Sequence, residues 1–262
     1  MFLTIITDCK DDNAFGRQMT RGASLFGYPP VPVGASDDIE AAGNLIDMLD
    51  ASEGREGVVI ANIAPRHGKA KKWKNGTPFG YFWYNKTLVV STVDGYTTSL
   101  VKKLGLTDKI QVMDIEAVLN YVKDKELYRE QSNYIKKTQF RSYEFTPRAA
   151  KWVWKGTDIP AEEHPIADVP TMPNCVWWSD NFGNLKTTLL PEDIGFEVGK
   201  KIELKGIGEV TCYERLKDVP NDGTGMIIGS SGIMDKRFLE VVIQGKSAAK
   251  TYNIQNGHLL FD

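Results

Sequence analysis

Phe2-Leu3-Thr4-Ile5-Ile6-Thr7, followed by Asp8-Cys9-Lys10-Asp11-Asp12-Asn13, decides how the first half of the chain reads. A six-residue apolar, β-branched run is a buried strand. The polar run behind it is a loop, so Asp8 stands where the strand ends. Ala14 to Phe26 then takes helical form. Pro29 to Val33 is extended, because its three prolines forbid a helix. Ser36-Asp37-Asp38-Ile39-Glu40 is a capped helix start, with Ile39, Ala42, Leu45, Ile46 and Leu49 at helical spacing behind it. Val58 to Ile63 is a second buried strand. Phe79 to Trp83 and Thr87 to Val93 are further strands, and Thr97 to Leu104 and Ile115 to Tyr128 are helical by pattern. This alternation predicts a layered α/β N-terminal domain, a mixed sheet with helices, over residues 1–155.

The texture changes after Trp154. Residues 156–173 hold Pro160, Pro165, Pro170 and Pro173 among acidic and small residues, which reads as a linker. Short strands separated by turns follow: Asn174 to Trp178, Lys200 to Leu204, Gly208 to Tyr213, Gly225 to Ile228 and Phe238 to Ile243. Asn221-Asp222-Gly223 is a strong turn signal. The spacing predicts a small all-β barrel C-terminal domain over residues 174–262.

The 262 residues carry 32 Lys+Arg against 34 Asp+Glu, a formal charge of −2, and 42% of them are hydrophobic. Those values exclude a disordered chain, a collagen-like repeat and a highly basic nucleic-acid arm. No apolar run is long enough to cross a bilayer, and the first residues lack the basic segment and cleavage site of a secretory signal. Cys9, Cys175 and Cys212 are an odd, scattered set that fits reduced thiols in a cytoplasmic protein. No CxxC or HxxxH pair appears, so no metal site is expected.

Asp8, at the end of the first strand, is placed to hold a ribose diol; a loop-capping role fits its position equally. Asp180-Asn181-Phe182-Gly183-Asn184 offers a ring for stacking, an amide for an adenine edge and a carboxylate for an ammonium group. A hairpin turn explains the same five residues. Gly223-Thr-Gly225-Met-Ile-Ile-Gly229 has one residue too many for a dinucleotide loop, and no helix follows. Gly229-Ser230-Ser231-Gly232 is not a nucleophile elbow; turns are the simpler reading, with Ser230 a candidate ligand donor. Arg66 to Lys74 is the one basic cluster, a solvated loop more than a nucleic-acid contact. His67 within it follows a strand end, where catalytic groups often sit.

These pieces resemble, in order, the S-adenosylmethionine (SAM) hydroxide adenosyltransferase family, which includes the SAM-dependent fluorinase and chlorinase. ITDCKDDNAFGRQM resembles its TDFG…D…MKG opening. SDDIEAAGNLI resembles its acidic helix start, and VVIANIAPRHG stands where it has a strand followed by DPGVG. STVDGYTTSL stands at its PDNGLL segment, and TQFRSYEFTPRAA resembles its TFHGRD.FAPVAA. SDNFGNLKTTL closely resembles DRFGNLITN, and GSSG…FLEVVIQGKSAAKTY resembles S.G.LEIAVN.GSAA. The resemblance spans nearly the whole chain.

The resemblance implies an α/β domain followed by a β-barrel, in homotrimers that bind SAM where one subunit's N-domain meets a neighbour's C-domain. It implies SAM as substrate, no separate cofactor, and attack at C5′ that releases methionine. Water is the expected nucleophile, which makes the protein a SAM hydrolase forming adenosine. The alternatives are a related transferase using halide or another adenosine compound, and a nucleoside-binding protein without turnover. By resemblance Asp8 holds the ribose hydroxyls. Phe182 and Asn184 hold adenine with backbone near Gly245. Asp180, Asp11 and Ser230 hold the amino-acid end. The chain departs from the pattern where the family orients its water. Ala64 replaces the DPGVG aspartate, Lys71 falls near the arginine, and Phe140 or Arg141 falls at the histidine. The reacting groups expected instead are His67, Arg141 and Ser142.

Overall fold

The computed structural model describes residues 1–64, 77–123, 129–138 and 140–261. They form two compact units, Met1–Thr171 and Met172–Asp262. The first alternates strands and helices: β1 (Phe2–Thr7), α1 (Asp12–Phe26), β2 (Val31–Gly34), α2 (Asp38–Ser52), β3 (Gly57–Asn62), β4 (Phe79–Tyr84), β5 (Thr87–Thr92), α3 (Ser99–Leu104), β6 (Lys109–Met113), α4 (Ile115–Val122), α5 (Arg129–Lys137), α6 (Arg141–Glu144), α7 (Thr146–Trp154) and β7 (Glu162–Pro165). Among the described residues its sheet runs β2-β1-β3-β5-β4-β6-β7. The four strands on the β2 side are parallel, and β4, β6 and β7 pair antiparallel.

Three of the parallel strands, β1, β3 and β5, are buried on both faces, as continuous apolar runs must be, while β2 at the sheet edge is largely exposed. Leu3, Ile5, Val58, Ile60, Leu88 and Val90 share one cluster with Phe26 of α1, Val118 and Leu119 of α4, and Ala149, Ala150 and Val153 of α7. The alternate residues Ile6, Val59, Ala61 and Val89 are equally buried and point the other way. There α2 lies against β1 and β3, and contributes Leu45, Ile46 and Leu49. Its start is fixed by Asp37, whose side chain accepts from the Glu40 N–H at 2.8 Å.

Of residues 156–173, expected to be a linker, 156–171 are instead part of this unit, and Met172 and Pro173 begin the second. Glu162–Pro165 is an edge strand in register with β6, from Lys109 opposite Pro165 to Val112 opposite Glu162. Proline is tolerated there because an edge strand has one side free of ladder bonds. The α/β unit therefore extends to Thr171. The helix expected from Ile115 ends at Val122, and residues 124–128 lie outside the described set.

The second unit comprises β8 (Val176–Ser179), β9 (Leu185–Thr187), α8 (Pro191–Ile194), β10 (Lys201–Leu204), β11 (Gly208–Cys212), β12 (Thr224–Ile233), β13 (Lys236–Ile243) and α9 (Ala248–Tyr252). Its mixed sheet runs β10-β11-β12-β13-β9-β8, with β11 and β12 parallel. Val176, Leu185, Val210, Met226, Leu239 and Val241 belong to its core. The long β12–β13 hairpin carries a bulge between Ile228 and Gly232.

Leu45 is fully buried at the centre of the α2 face. Leu45→Ala is expected to cost about 2–5 kcal/mol through lost transfer and the cavity left behind. A urea titration checks this, and an unchanged midpoint would contradict the packing described.

Candidate functional site

The chain runs from β1 to β2 on one side and returns past β1 to β3 on the other. Helices α1 and α2 therefore leave the sheet on opposite faces, and a crevice opens beyond the carboxyl ends of β1 and β3. A cavity of about 380 Å³ lies there, lined by Asp8 and Cys9 after β1, Asn62 and Ala64 at the end of β3, Thr92 ending β5, and Arg141 and Ser142 of α6. Phe79 also lines it, because β4 runs antiparallel and brings its first residue to this edge.

Asp8 spans the gap between the two strands. Its Oδ2 accepts the Ala64 N–H at 3.0 Å, while the Cys9 thiol lies 3.8 Å from Oδ1. Both readings of Asp8 are thus present in the geometry: it caps the loop after β3, and it lines the cavity. Burial first, and then the Asp8 charge, push the Cys9 thiol above its ordinary pKa. Thr92 is 1% exposed, and its hydroxyl has no hydrogen-bond partner among the described residues. A buried hydroxyl in that state is costly unless a ligand or an ordered water satisfies it.

Arg141 and Ser142 are held in place from behind. Glu144 of α6 accepts from Arg21 of α1 at 3.0 Å and from Arg148 of α7 at 2.9 Å. Arg21 also donates to the Tyr143 hydroxyl at 3.1 Å and, with Arg17, lies over its ring. The Arg21 hydrogen bond holds the Tyr143 hydroxyl below its usual pKa. Asp11 does not line the cavity; its carboxylate accepts the Ala14 N–H at 2.9 Å and caps α1. His67 and the basic cluster around it lie outside the described residues.

The remaining candidates belong to the second unit. The Asp180 carboxylate accepts the backbone N–H of Phe182 and of Asn184, both at 2.9 Å, and the Asn184 side-chain amide at 3.0 Å. It therefore builds the turn, and Phe182 is left 73% exposed at the tip. Gly183, at φ +86°, packs on Ser247: a Cβ there would meet the Ser247 Cβ at 2.5 Å and its Cα at 2.9 Å. The Gly183 carbonyl accepts the Ala249 N–H at 3.0 Å. The DNFGN turn and the GKSAA segment, some sixty residues apart in sequence, thus meet in space. Gly245, at φ +85°, turns the chain into that segment, where the Ser247 side chain caps α9. Ser230 is elsewhere in the unit. Lys186 donates to Ser230 at 3.2 Å and Ser231 at 2.6 Å, and its ammonium lies 3.4 Å from Glu240. Gly229 leaves room for that glutamate.

Sequence reading missed Cys9, Asn62 and Thr92 as lining groups. Their signal was positional, since each ends or follows a strand that proves parallel. It also missed the Arg21–Glu144–Arg148 cluster, whose members are more than a hundred residues apart except for the i,i+4 pair within it. Among the described residues no group of three His, Cys, Asp or Glu side chains could hold a metal ion, and no helix is long and apolar enough to cross a membrane.

No protein-family model matches the chain, and no curated protein matches it. Solved structures do. An uncharacterized conserved protein from Thermotoga maritima superposes with a TM-score of 0.66 at 13% identity, covering 98% of both chains. A conserved hypothetical protein from Thermus thermophilus gives 0.63 at 18% identity over 99% of both. At these identities the likeness is one of fold, over the full length of the chain.

Two results are expected from this geometry. Alkylation of Cys9 is slow at neutral pH and accelerates as pH rises through its elevated pKa; Asp8→Asn lowers that pKa and speeds the reaction, read by mass spectrometry of the labelled peptide. A rate indifferent to Asp8→Asn would contradict the contact. Gly183→Ala, which adds left-handed strain to the Ser247 overlap, is expected to destabilise the protein by at least about 1 kcal/mol in chemical denaturation.

Proposed function

We propose that the Asp8 cavity binds the adenosyl group of S-adenosylmethionine and that the protein cleaves it at C5′. The observation that carries this reading is the cavity at the β1/β3 crevice. The Asp8 carboxylate lines it together with Asn62, Thr92, Arg141 and Ser142. Asp8 Oδ1, which takes only the weak Cys9 thiol donor, can accept a ribose hydroxyl while Oδ2 keeps the Ala64 N–H. Phe182 and Asn184 are the adenine-recognition elements of the reading. Asp180 holds these two residues in place by building their turn, Ser230 serves the amino-acid end, and the working assembly is a homotrimer.

The chemistry asks little of the protein. A water oxygen forms a bond to C5′ as the C5′–S bond breaks. The electron pair goes to the sulfonium, leaving methionine with a neutral thioether, and the attacking water passes its proton to bulk water. No strong acid is needed, because sulfur departs uncharged. What is needed is a desolvated nucleophile about 3 Å from carbon and in line with the breaking bond. Arg141 and Ser142 are the cavity groups that can donate to and orient an oxygen nucleophile or an anion.

Ala64 favours a second reading, binding without turnover. Where a carboxylate would orient water there is a methyl group, and the backbone N–H of this residue is engaged by Asp8. We further propose that the six-stranded sheet closes as a small barrel. The tail supports this: Leu260 accepts from the Lys205 N–H and donates to the Asn174 carbonyl, both at 2.9 Å, joining the ends of β10 and β8.

Incubation with SAM is expected to release adenosine and methionine in equal amounts by chromatography. Asp8→Asn is expected to weaken SAM binding by roughly ten- to a hundredfold in calorimetry, since a hydrogen bond to a charged group contributes about 1.5–3 kcal/mol. Binding without products selects the second reading. No binding of SAM or adenosine contradicts both.

A further inference from the structure

A second cavity of about 510 Å³ lies among α1, α5 and α7, and shares none of its lining with the Asp8 cavity. Arg21 and Ser24 face it from α1, Gln131 from α5, and Arg148, Lys151 and Lys155 from α7 or its C-terminal end. The spacing is that of single helix faces: i and i+3 on α1, and i, i+3 and i+7 on α7. Among the described residues no carboxylate lines it. Glu144, behind it, is shared by the two arginines. Burial first, and then the Arg21 charge, lower the Arg148 pKa, as expected where positive charge is in excess. The Lys151 ammonium is held 5.0 Å from the centre of the Phe26 ring, which fixes a flexible side chain at the groove wall.

We propose that this groove binds a polyphosphate group, a diphosphate or triphosphate, free or carried by a small molecule. Among the described residues, four cations set against one carboxylate leave a surplus of three positive charges. A single phosphate, at about −1.5 to −2, leaves part of that surplus unmet, whereas a chain of phosphates meets it. The guanidinium groups, which spend part of their donor set on Glu144 and Tyr143, add their charge and remaining N–H donors to the groove, and the lysines act as point charges. Ser24 and Gln131 add neutral donors. The volume suits a small ligand.

Titration calorimetry of the full chain with inorganic triphosphate tests the assignment. Saturable binding at one site per chain is expected, weakening as salt rises. Lys151→Gln/Lys155→Gln is expected to reduce the affinity at least tenfold, and Lys155→Glu alone, at an exposed position, to act in the same direction. ATP is titrated in parallel. Tighter binding than triphosphate assigns the group to a nucleotide, and equal or weaker binding assigns it to free polyphosphate; either supports the site. Heat that does not saturate overturns it. So does binding that survives both lysine variants, and binding lost in Asp8→Asn but kept in the double lysine variant belongs to the other cavity.

Discussion

The hydrogen bond from the Ala64 N–H to Asp8 holds the candidate site together. It joins the ends of two parallel strands, at 3.0 Å, across the point where the chain's direction of travel through the sheet reverses. At such a point neighbouring loops diverge, and a ligand can enter between them. Without a group spanning the gap, the backbone donor of Ala64 would have to be satisfied by water. Asp8 satisfies it with one oxygen and leaves the other beside the cavity. A structural role and a binding role therefore fall on the same side chain.

A second constraint acts from behind the cavity. The helix bearing Arg141 and Ser142 has only four residues, too short to be stable alone. Its position is set by Glu144, clamped between guanidinium groups from α1 and α7. Those two helices also pack their apolar sides on the sheet core through Phe26, Ala149 and Val153. Packing of the core thus fixes the arginines, the arginines fix Glu144, and Glu144 fixes the residues that face the cavity.

Much of the first unit was legible in the sequence because buried parallel strands are continuous apolar runs. Phe2 to Thr7 and Val58 to Ile63 each identify themselves within one residue of the observed bounds. β6 and β7 were not legible. Lys109-Ile-Gln-Val-Met113 is a short strand of mixed polarity, and Glu162–Pro165, at the sheet edge among the described residues, is polar because its side chains are largely exposed. In the second unit β9 was hidden for a different reason. Leu185–Thr187 is three residues long, and its pairing is set by β8 and β13 rather than by its own pattern. The site was legible in its parts, Asp8 and the DNFGN turn. Its support was not, because Arg21 and Glu144 meet only through tertiary packing.

The join between the DNFGN turn and Ser247 shows what local pattern does carry. Gly183 adopts a left-handed conformation and has no room for a side chain, so glycine there answers a physical demand at both levels. Asp180 commits its carboxylate to the turn itself, which fits the bland reading of the segment. The exposed Phe182 ring is what that reading leaves over, and it is the group the nucleoside account uses.

A crystal structure of the protein grown with SAM tests the central claim most directly. The account predicts ribose hydroxyls within hydrogen-bonding distance of Asp8, with C5′ directed toward Arg141 and Ser142. An adenosyl group bound elsewhere, with the cavity beside Asp8 holding only water, would contradict it.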